Sequence, residues 1–366
     1  MLIKDIKYYL GSRKDLIILA ILNTFVLWQL SYYIFILFDR QFFFDSASYM
    51  SMARGNFNVI LMHAHRIAIP FFASVIAKFI AIFNPQTFFN SLTNQEFVIR
   101  ISFYLLNLLF SAAIFYFLFE TLVSMRYRKL VILASILSLQ LNTIYLYYIA
   151  VPNVDISVLF FISLGLFIYS RVKKFNKFFI LFLVINIVAS LFKEYIFLAN
   201  FPILLLFIKK QDSKYIKNAI FIFSYLIINL LMVSIFRFTI SKFVYLVLNT
   251  EFITYSKPFL DFLIGSIFPN TFNINKLQDI IQYSPFLVLI ILAFRYSKNN
   301  NIQVKPLKKV NKNKYLNDFN LLTTLLIFLI LSGLAQWQLR VFFPFYLYLL
   351  PFVCEGIDQM VPRKLN

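Results

Sequence analysis

Apolar residues fall in long, nearly unbroken runs along this chain, and polar residues gather in short knots between them. The runs are 16–38, 101–122, 130–150, 154–170, 178–192, 195–208, 218–236, 281–294, 319–336 and 341–356. A helix that crosses a bilayer needs roughly 20 apolar residues at about 1.5 Å of rise each, so the pattern predicts ten spanning helices. An eleventh run, 67–83, has Pro70 in its first turn and Lys78 at its middle. That composition predicts a helix lying along the membrane surface or dipping into it.

The knots are strongly basic: RYRK (126–129), RVKKFNK (171–177), KKQDSKYIK (209–217), the stretch 295–314 and both termini. Short cytoplasmic loops of membrane proteins carry an excess of Lys and Arg. If all ten runs span and 67–83 does not, every basic knot falls on one side, with roughly two-thirds of the 35 Lys and Arg. If 67–83 spans as well, the later knots move to the opposite side. Charge parity therefore predicts both termini inside and two long outer loops, 39–100 and 237–280. The shorter outer loops are VPNVD (151–155), Lys193-Glu194 and Gln338-Leu339-Arg340. A polar cytoplasmic linker occupies 295–318, and the whole chain reads as a single transmembrane domain, 1–366.

Composition agrees. The chain is 61% hydrophobic and 14% charged, whereas soluble domains are about 45–50% apolar and about 25% charged. The formal net charge of +20 then reports sidedness rather than nucleic-acid binding. A single cysteine, Cys354, excludes an internal disulfide framework and a multi-cysteine metal site. The basic N-terminus followed by the 16–38 run reads as an uncleaved signal anchor.

Ionisable residues outside the basic knots collect on the outer side: Asp45, Arg54, His63, His65, Arg66 and Arg100 in the first outer loop, and Asp155, Lys193, Glu194, Arg237 and Arg340 at outer helix ends. Charges wedged between apolar runs need a partner or a wet cavity, which makes them functional candidates. Each also has a plain structural role open to it. Asp45 and Asp155 suit helix N-caps. Lys193 and Glu194 can pair with each other. Arg66 and Arg340 can anchor at the interface, and His63 and His65 can be interfacial histidines.

The order of these residues resembles the GT-C superfamily, polytopic glycosyltransferases that use polyprenyl-phosphate sugars, protein O-mannosyltransferases among them. The resemblance runs over 1–210 and 335–351. In that family one spanning helix precedes an outer loop with a catalytic Asp near its start, and Tyr and a small residue follow; here these are Asp45, Tyr49 and Ala53. A surface helix comes next (HRIAIPFFASVIAKFIAIF), then an Arg opening the second span (Arg100), a Pro and acidic outer turn (VPNVD), a Lys-Glu pair (KEYIFLANFP) and a final Arg (LRVFFPFYLYLLP). Ser46 follows Asp45, so the acidic pair of some members is absent and a divalent metal is not supported. No other cofactor is implied.

The resemblance implies an all-α GT-C-like membrane fold with surface helices in the first outer loop. It also implies transfer of a sugar, with inversion, from a polyprenyl-phosphate donor to an acceptor hydroxyl on a lipid, glycan or protein. Asp45 would be the general base. Tyr49, His65, Arg66, Asp155, Lys193, Glu194 and Arg340 would bind substrate, the cations meeting the phosphate. The setting would be a bacterial inner membrane, with membrane lipids as neighbours and no nucleic acid. A multi-pass transporter or flippase of a lipid or sugar is the alternative, although repeated halves and Gly-broken helices are not evident.

Overall fold

The computed structural model describes residues 14–37, 44–56, 59, 66–83, 92–209, 215–248, 323–328 and 343–360, and among these every regular element is helical. The helices are α1 (Lys14–Leu37), α2 (Phe44–Ala53), α3 (Ala68–Phe83), α4 (Leu92–Ser124), α5 (Lys129–Gln140), α6 (Thr143–Ala150), α7 (Asp155–Arg171), α8 (Phe175–Ala189), α9 (Ile196–Lys209), α10 (Tyr215–Leu248) and α11 (Phe345–Met360). Three are long and apolar enough to cross a membrane, within α1, α4 and α10. The bent pair α5–α6 would make a fourth. This identifies a membrane protein with three or four candidate spans. The remaining helices are shorter, and the runs 281–294 and 319–336 lie outside the described residues apart from 323–328.

Several boundaries differ from the sequence reading: α10 runs to Leu248, so 237–248 of the expected outer loop 237–280 is helical, and α11 is shifted to Phe345–Met360. Helix α4 begins at Leu92, not at 101, so Arg100 stands inside it. There it is buried, donates through Nη2 to Phe35 O at 2.9 Å and lies 4.8 Å from the centre of the Phe35 ring. Phe35 belongs to the last turn of α1, whose carbonyls have no partner within the helix. Arg100 therefore ends α1 rather than opening α4. The run 130–150 is two helices bent by 68°, not one straight span. Its break is set by Asn142, whose side chain accepts from Ile144 N at 2.9 Å and so caps α6.

Helix α3 is amphipathic in size rather than polarity. Ile69, Ala73, Ala77 and Ala81 are buried, while Phe71, Phe79, Ile82 and Phe83 are exposed. Small residues on the inner face let α3 lie close against α4. Its 16 residues reach about 24 Å, short of the ~30 Å hydrocarbon core.

Around α4 and α7 the interior is tied by a few polar staples. Asn107 Nδ2 on α4 lies 3.1–3.2 Å from the carbonyls of Tyr148, Ile149 and Val151, holding the end of α6 and the turn that leads to Asp155. Pro202 sits inside α9, where a proline withdraws one N–H and crowds the preceding turn. The Tyr225 and Tyr348 hydroxyls donate to the nearby carbonyls of Phe197 and Ala199, each at 2.7 Å.

The two ends of the bundle carry different chemistry. At one end Arg171 pairs with Glu120, and Arg128 pairs with Asp358. At the other lies Asp155, the first residue of the helix that Arg171 ends. The two are separated by roughly 24 Å at 1.5 Å per residue.

Asn142→Ala is expected to cost about 1 kcal/mol by removing the α6 cap, and Asn142→Asp to keep most of it. Thermal unfolding of the detergent-solubilised protein measures both, and equal loss in the two variants contradicts the capping account.

Candidate functional site

Four segments far apart in sequence meet at the end of the bundle that holds Asp155. The first is α2, whose Schellman ending explains how the chain turns back. Gly55 has φ +87°, its N–H bonds Met52 O at 2.9 Å, and Asn56 N bonds Ser51 O at 3.0 Å. The second is the entry to α3, where Arg66 stands and Ala68 N donates to Leu191 O at 3.3 Å. The third is the turn 153–155, and the fourth is the tight connection 190–195 between α8 and α9.

Arg66 is the hub. Its Nε donates to Glu194 Oε2 at 2.9 Å and its Nη2 to Glu194 Oε1 at 2.6 Å, a paired fork. Its Nη1 donates to the Tyr49 hydroxyl at 2.8 Å. Tyr49 is fully buried, and Arg66 is only 8% exposed. Burial opposes the Arg66 charge, but Glu194 and Tyr49 more than offset it, so its pKa stands well above the usual guanidinium value. Burial drives the Tyr49 phenol well above its ordinary pKa; Arg66 pulls the other way, and the carboxylates of Asp45 and Asp155 push it higher. Tyr49 is thus a neutral phenol at physiological pH, and both carboxylates act on it.

Lys193 donates through Nζ to Asp155 Oδ1, and both residues are buried. Lys193 Nζ also lies 4.9 Å from the centre of the Tyr195 ring. The adjacent residues Lys193 and Glu194 therefore do not pair with each other; each reaches a separate segment. Asp155 is not the cap of α7 either. Val154 holds that position without a side-chain bond, and Asn153 Oδ1 accepts from Asp155 N at 3.0 Å, leaving the Asp155 carboxylate for Lys193. Asp45 lies in the first turn of α2, inside the helix rather than at its cap, and is half-buried.

Five of the sequence candidates around Asp45 thus come together: Tyr49, Arg66, Asp155, Lys193 and Glu194. Arg54 is exposed. His63, His65 and Arg340 lie outside the described residues, as does the side chain of Arg237. Among the described residues no three His, Cys, Asp or Glu side chains gather in a way that would hold a metal ion.

Beside this charged cluster lies an apolar cavity of about 700 Å³. Met52 and Gly55 of the α2 region, Ile67 and Phe72 around α3, Phe192 of the 190–195 turn and Thr239 of α10 are among its walls. Its lining residues neighbour the cluster in sequence: Ile67 follows Arg66, and Phe192 precedes Lys193. Sequence patterning gave no sign of this cavity. Its walls are ordinary apolar residues, and the cavity exists because they stop short of filling a space. Asn153 was missed as well; an Asn two residues before a helix start was its available signal.

No family model, curated protein or solved structure matches the chain.

Glu194→Ala leaves the buried Arg66 charge without its counter-charge and is expected to cost about 3–5 kcal/mol of stability. Adding Arg66→Ala should cost far less than the sum of the two single losses, because the pair is coupled. A double-mutant cycle by thermal unfolding reads this directly, and strict additivity refutes the pairing.

Proposed function

We propose that this protein is a membrane glycosyltransferase of GT-C type. It moves a sugar from a polyprenyl-phosphate donor to an acceptor hydroxyl at the outer face of a bacterial inner membrane. One observation carries the reading: a buried cluster of charged side chains, gathered from four segments, adjoins an apolar cavity at one end of a helical membrane protein. Isolated ion pairs serve structure well enough. A chemically mixed site, charged on one side and lipid-like on the other, suits a donor with a phosphate head and an isoprenoid tail.

In the proposed reaction the acceptor oxygen attacks the anomeric carbon as the bond from that carbon to the phosphate oxygen breaks. The acceptor proton passes to Asp45, and polyprenyl phosphate departs. Asp45 suits the base because it is a half-buried carboxylate one helical turn from Tyr49. Three of the five N–H donors of Arg66 are engaged, by Glu194 and Tyr49, which leaves two for a phosphate oxygen. Glu194 and Tyr49 thereby act as positioning residues for Arg66, and Asp155 does the same for Lys193. His65 and Arg340 complete the proposed substrate contacts. The ten-span topology with both termini cytoplasmic belongs to this proposal, since it sets the basic knots and the charged cluster on opposite faces.

Two measurements test it. Asp45→Asn is expected to lower transfer of labelled sugar from polyprenyl phosphate by about 10²–10⁴-fold, as loss of a general base does, with donor binding kept. Wild-type turnover in that variant removes Asp45 from the chemistry. For sidedness, Arg54→Cys should react with a membrane-impermeant maleimide on intact cells, since Arg54 is exposed. Buried Cys354, whose Sγ lies 3.1 Å from Ser135 Oγ, should stay silent. Labelling of Arg54→Cys only after the cells are opened would reverse the topology and defeat the proposal.

A further inference from the structure

Three connections converge at the end of the bundle that holds Arg171. The α4–α5 turn, 125–128, is tied there by Arg128, whose Nε donates to Asp358 Oδ1 at 2.5 Å and whose Nη2 donates to Asp358 O at 2.8 Å. The α7–α8 turn, 172–174, is held to α4 by the Arg171–Glu120 pair. The end of α9 joins them through Phe207, whose ring centre lies 3.8 Å from that of Phe178 and 5.7 Å from that of Phe175.

Both ion pairs sort their charges in the same way. The side chains of Glu120 and Asp358 are buried, whereas those of Arg171 and Arg128 are 36% and 39% exposed. The carboxylates are withdrawn and cations form the rim. Arg126, Lys129, Lys173, Lys174, Lys177 and Lys209 stand exposed around them. Helix α1 also starts at this end, since its last turn meets Arg100; its exposed Lys14 and Asp15 offset one another.

Arg126 is the most telling of these. It closes α4 in a Schellman ending: its N–H bonds Val123 O at 2.9 Å, Tyr127 N bonds Leu122 O at 3.3 Å, and its φ is +66°. That left-handed conformation favours glycine and resists a side chain. Among the described residues nothing pairs with the Arg126 guanidinium, so the side chain carried there is turned to the surroundings. Lys129, Lys174 and Lys177 are likewise exposed and unpaired among the described residues.

These cations border apolar surface. Helix α4, which holds a candidate span, ends at Ser124, immediately before the first turn. Leu130, next to Lys129, is exposed, as are Ile180 and Leu181, one turn beyond Lys177. A cationic rim that steps directly onto exposed apolar residues fits the headgroup level of a bilayer, where Lys and Arg meet lipid phosphates.

We propose that this end of the bundle is a docking face for acidic phospholipids, with Arg126, Lys129, Lys174 and Lys177 contacting their headgroup phosphates. Charge and position both select that partner, since a soluble anion would make no use of the apolar border. The inference is independent of the glycosyl-transfer reading and of which side of the membrane this end occupies.

The test reconstitutes the full-length protein in phosphatidylcholine vesicles carrying a trace of spin-labelled phosphatidylglycerol or of spin-labelled phosphatidylcholine. EPR gives the fraction of each label held at the protein. Phosphatidylglycerol should be held about fivefold more strongly or better, and the preference should shrink in high salt. Arg126→Gln, Lys129→Gln, Lys174→Gln and Lys177→Gln together should bring the ratio below about twofold. Arg54→Gln with Lys242→Gln, exposed cations next to the cavity-lining Gly55 and close to Ile240, should leave it unchanged. Arg126→Gly keeps the test decisive if the fourfold variant fails to fold. It relieves the left-handed backbone, so the unfolding temperature should rise while the preference falls about twofold. No preference in the wild type, an unchanged preference in the fourfold variant or in Arg126→Gly, or an equal fall in the Arg54 and Lys242 variant overturns the proposal. Loss of the preference on adding inorganic phosphate at matched ionic strength overturns it too, because the face would then take a soluble anion.

Discussion

The forked pair between Arg66 and Glu194 is the contact on which the Asp155 end of the helical bundle depends. A charge taken out of water without compensation costs several kcal/mol even after relaxation, so Arg66 requires its partner. Meeting that requirement draws together the entry to α3 and the turn between α8 and α9, segments 128 residues apart. Tyr49 extends the network to α2, and the neighbouring Lys193–Asp155 pair extends it to the start of α7. Desolvation thus does work here that apolar packing does poorly, because packing is tolerant of register while a forked ion pair is not.

The same logic accounts for the separation of the two ends. Helix α7 holds Asp155 at one end and Arg171 at the other; the first is paired to Lys193 of the 190–195 turn and the second to Glu120 of α4. Between them the contacts are aromatic and aliphatic, with Phe110, Phe117, Phe160, Phe161 and Phe192 meeting edge to face or tilted. The charged cluster is fixed laterally by this stack and axially by the length of α7. The apolar cavity falls beside Phe192 of this stack, with Thr239 and Ile240 of α10 among its walls. A charged wall and an unfilled apolar space side by side are what support the proposal of a lipid-linked anionic donor at this end.

Much of the helical framework was legible along the chain. Uninterrupted apolar runs define helices, and α1, α7, α8 and α9 lie within a few residues of their sequence boundaries. Charge parity set the 67–83 run apart from the others, but helix length does not: α3, with 16 residues, falls among the shorter apolar helices together with α8 and α9. Hydropathy failed where a polar side chain overrode it. Asn142 breaks an apolar run by offering its oxygen to the backbone. Arg100 lies within a helix because the end of α1 supplies it with a carbonyl and a ring. In each case the deciding partner is one that local periodicity does not contain.

By itself the sequence determined that the chain is helical, that it is too apolar for water, and that a small set of ionisable residues stands apart from its basic knots. Those follow from composition and from repeats along the chain, which are local. Tertiary structure alone decided which charge faces which. Lys193 and Glu194 are neighbours in sequence yet turn to different partners, Asp155 and Arg66, because the backbone of the 190–195 turn sends them apart and each burial demands its own opposite charge. The empty volume beside them is likewise tertiary, since a cavity is a property of the residues that fail to meet.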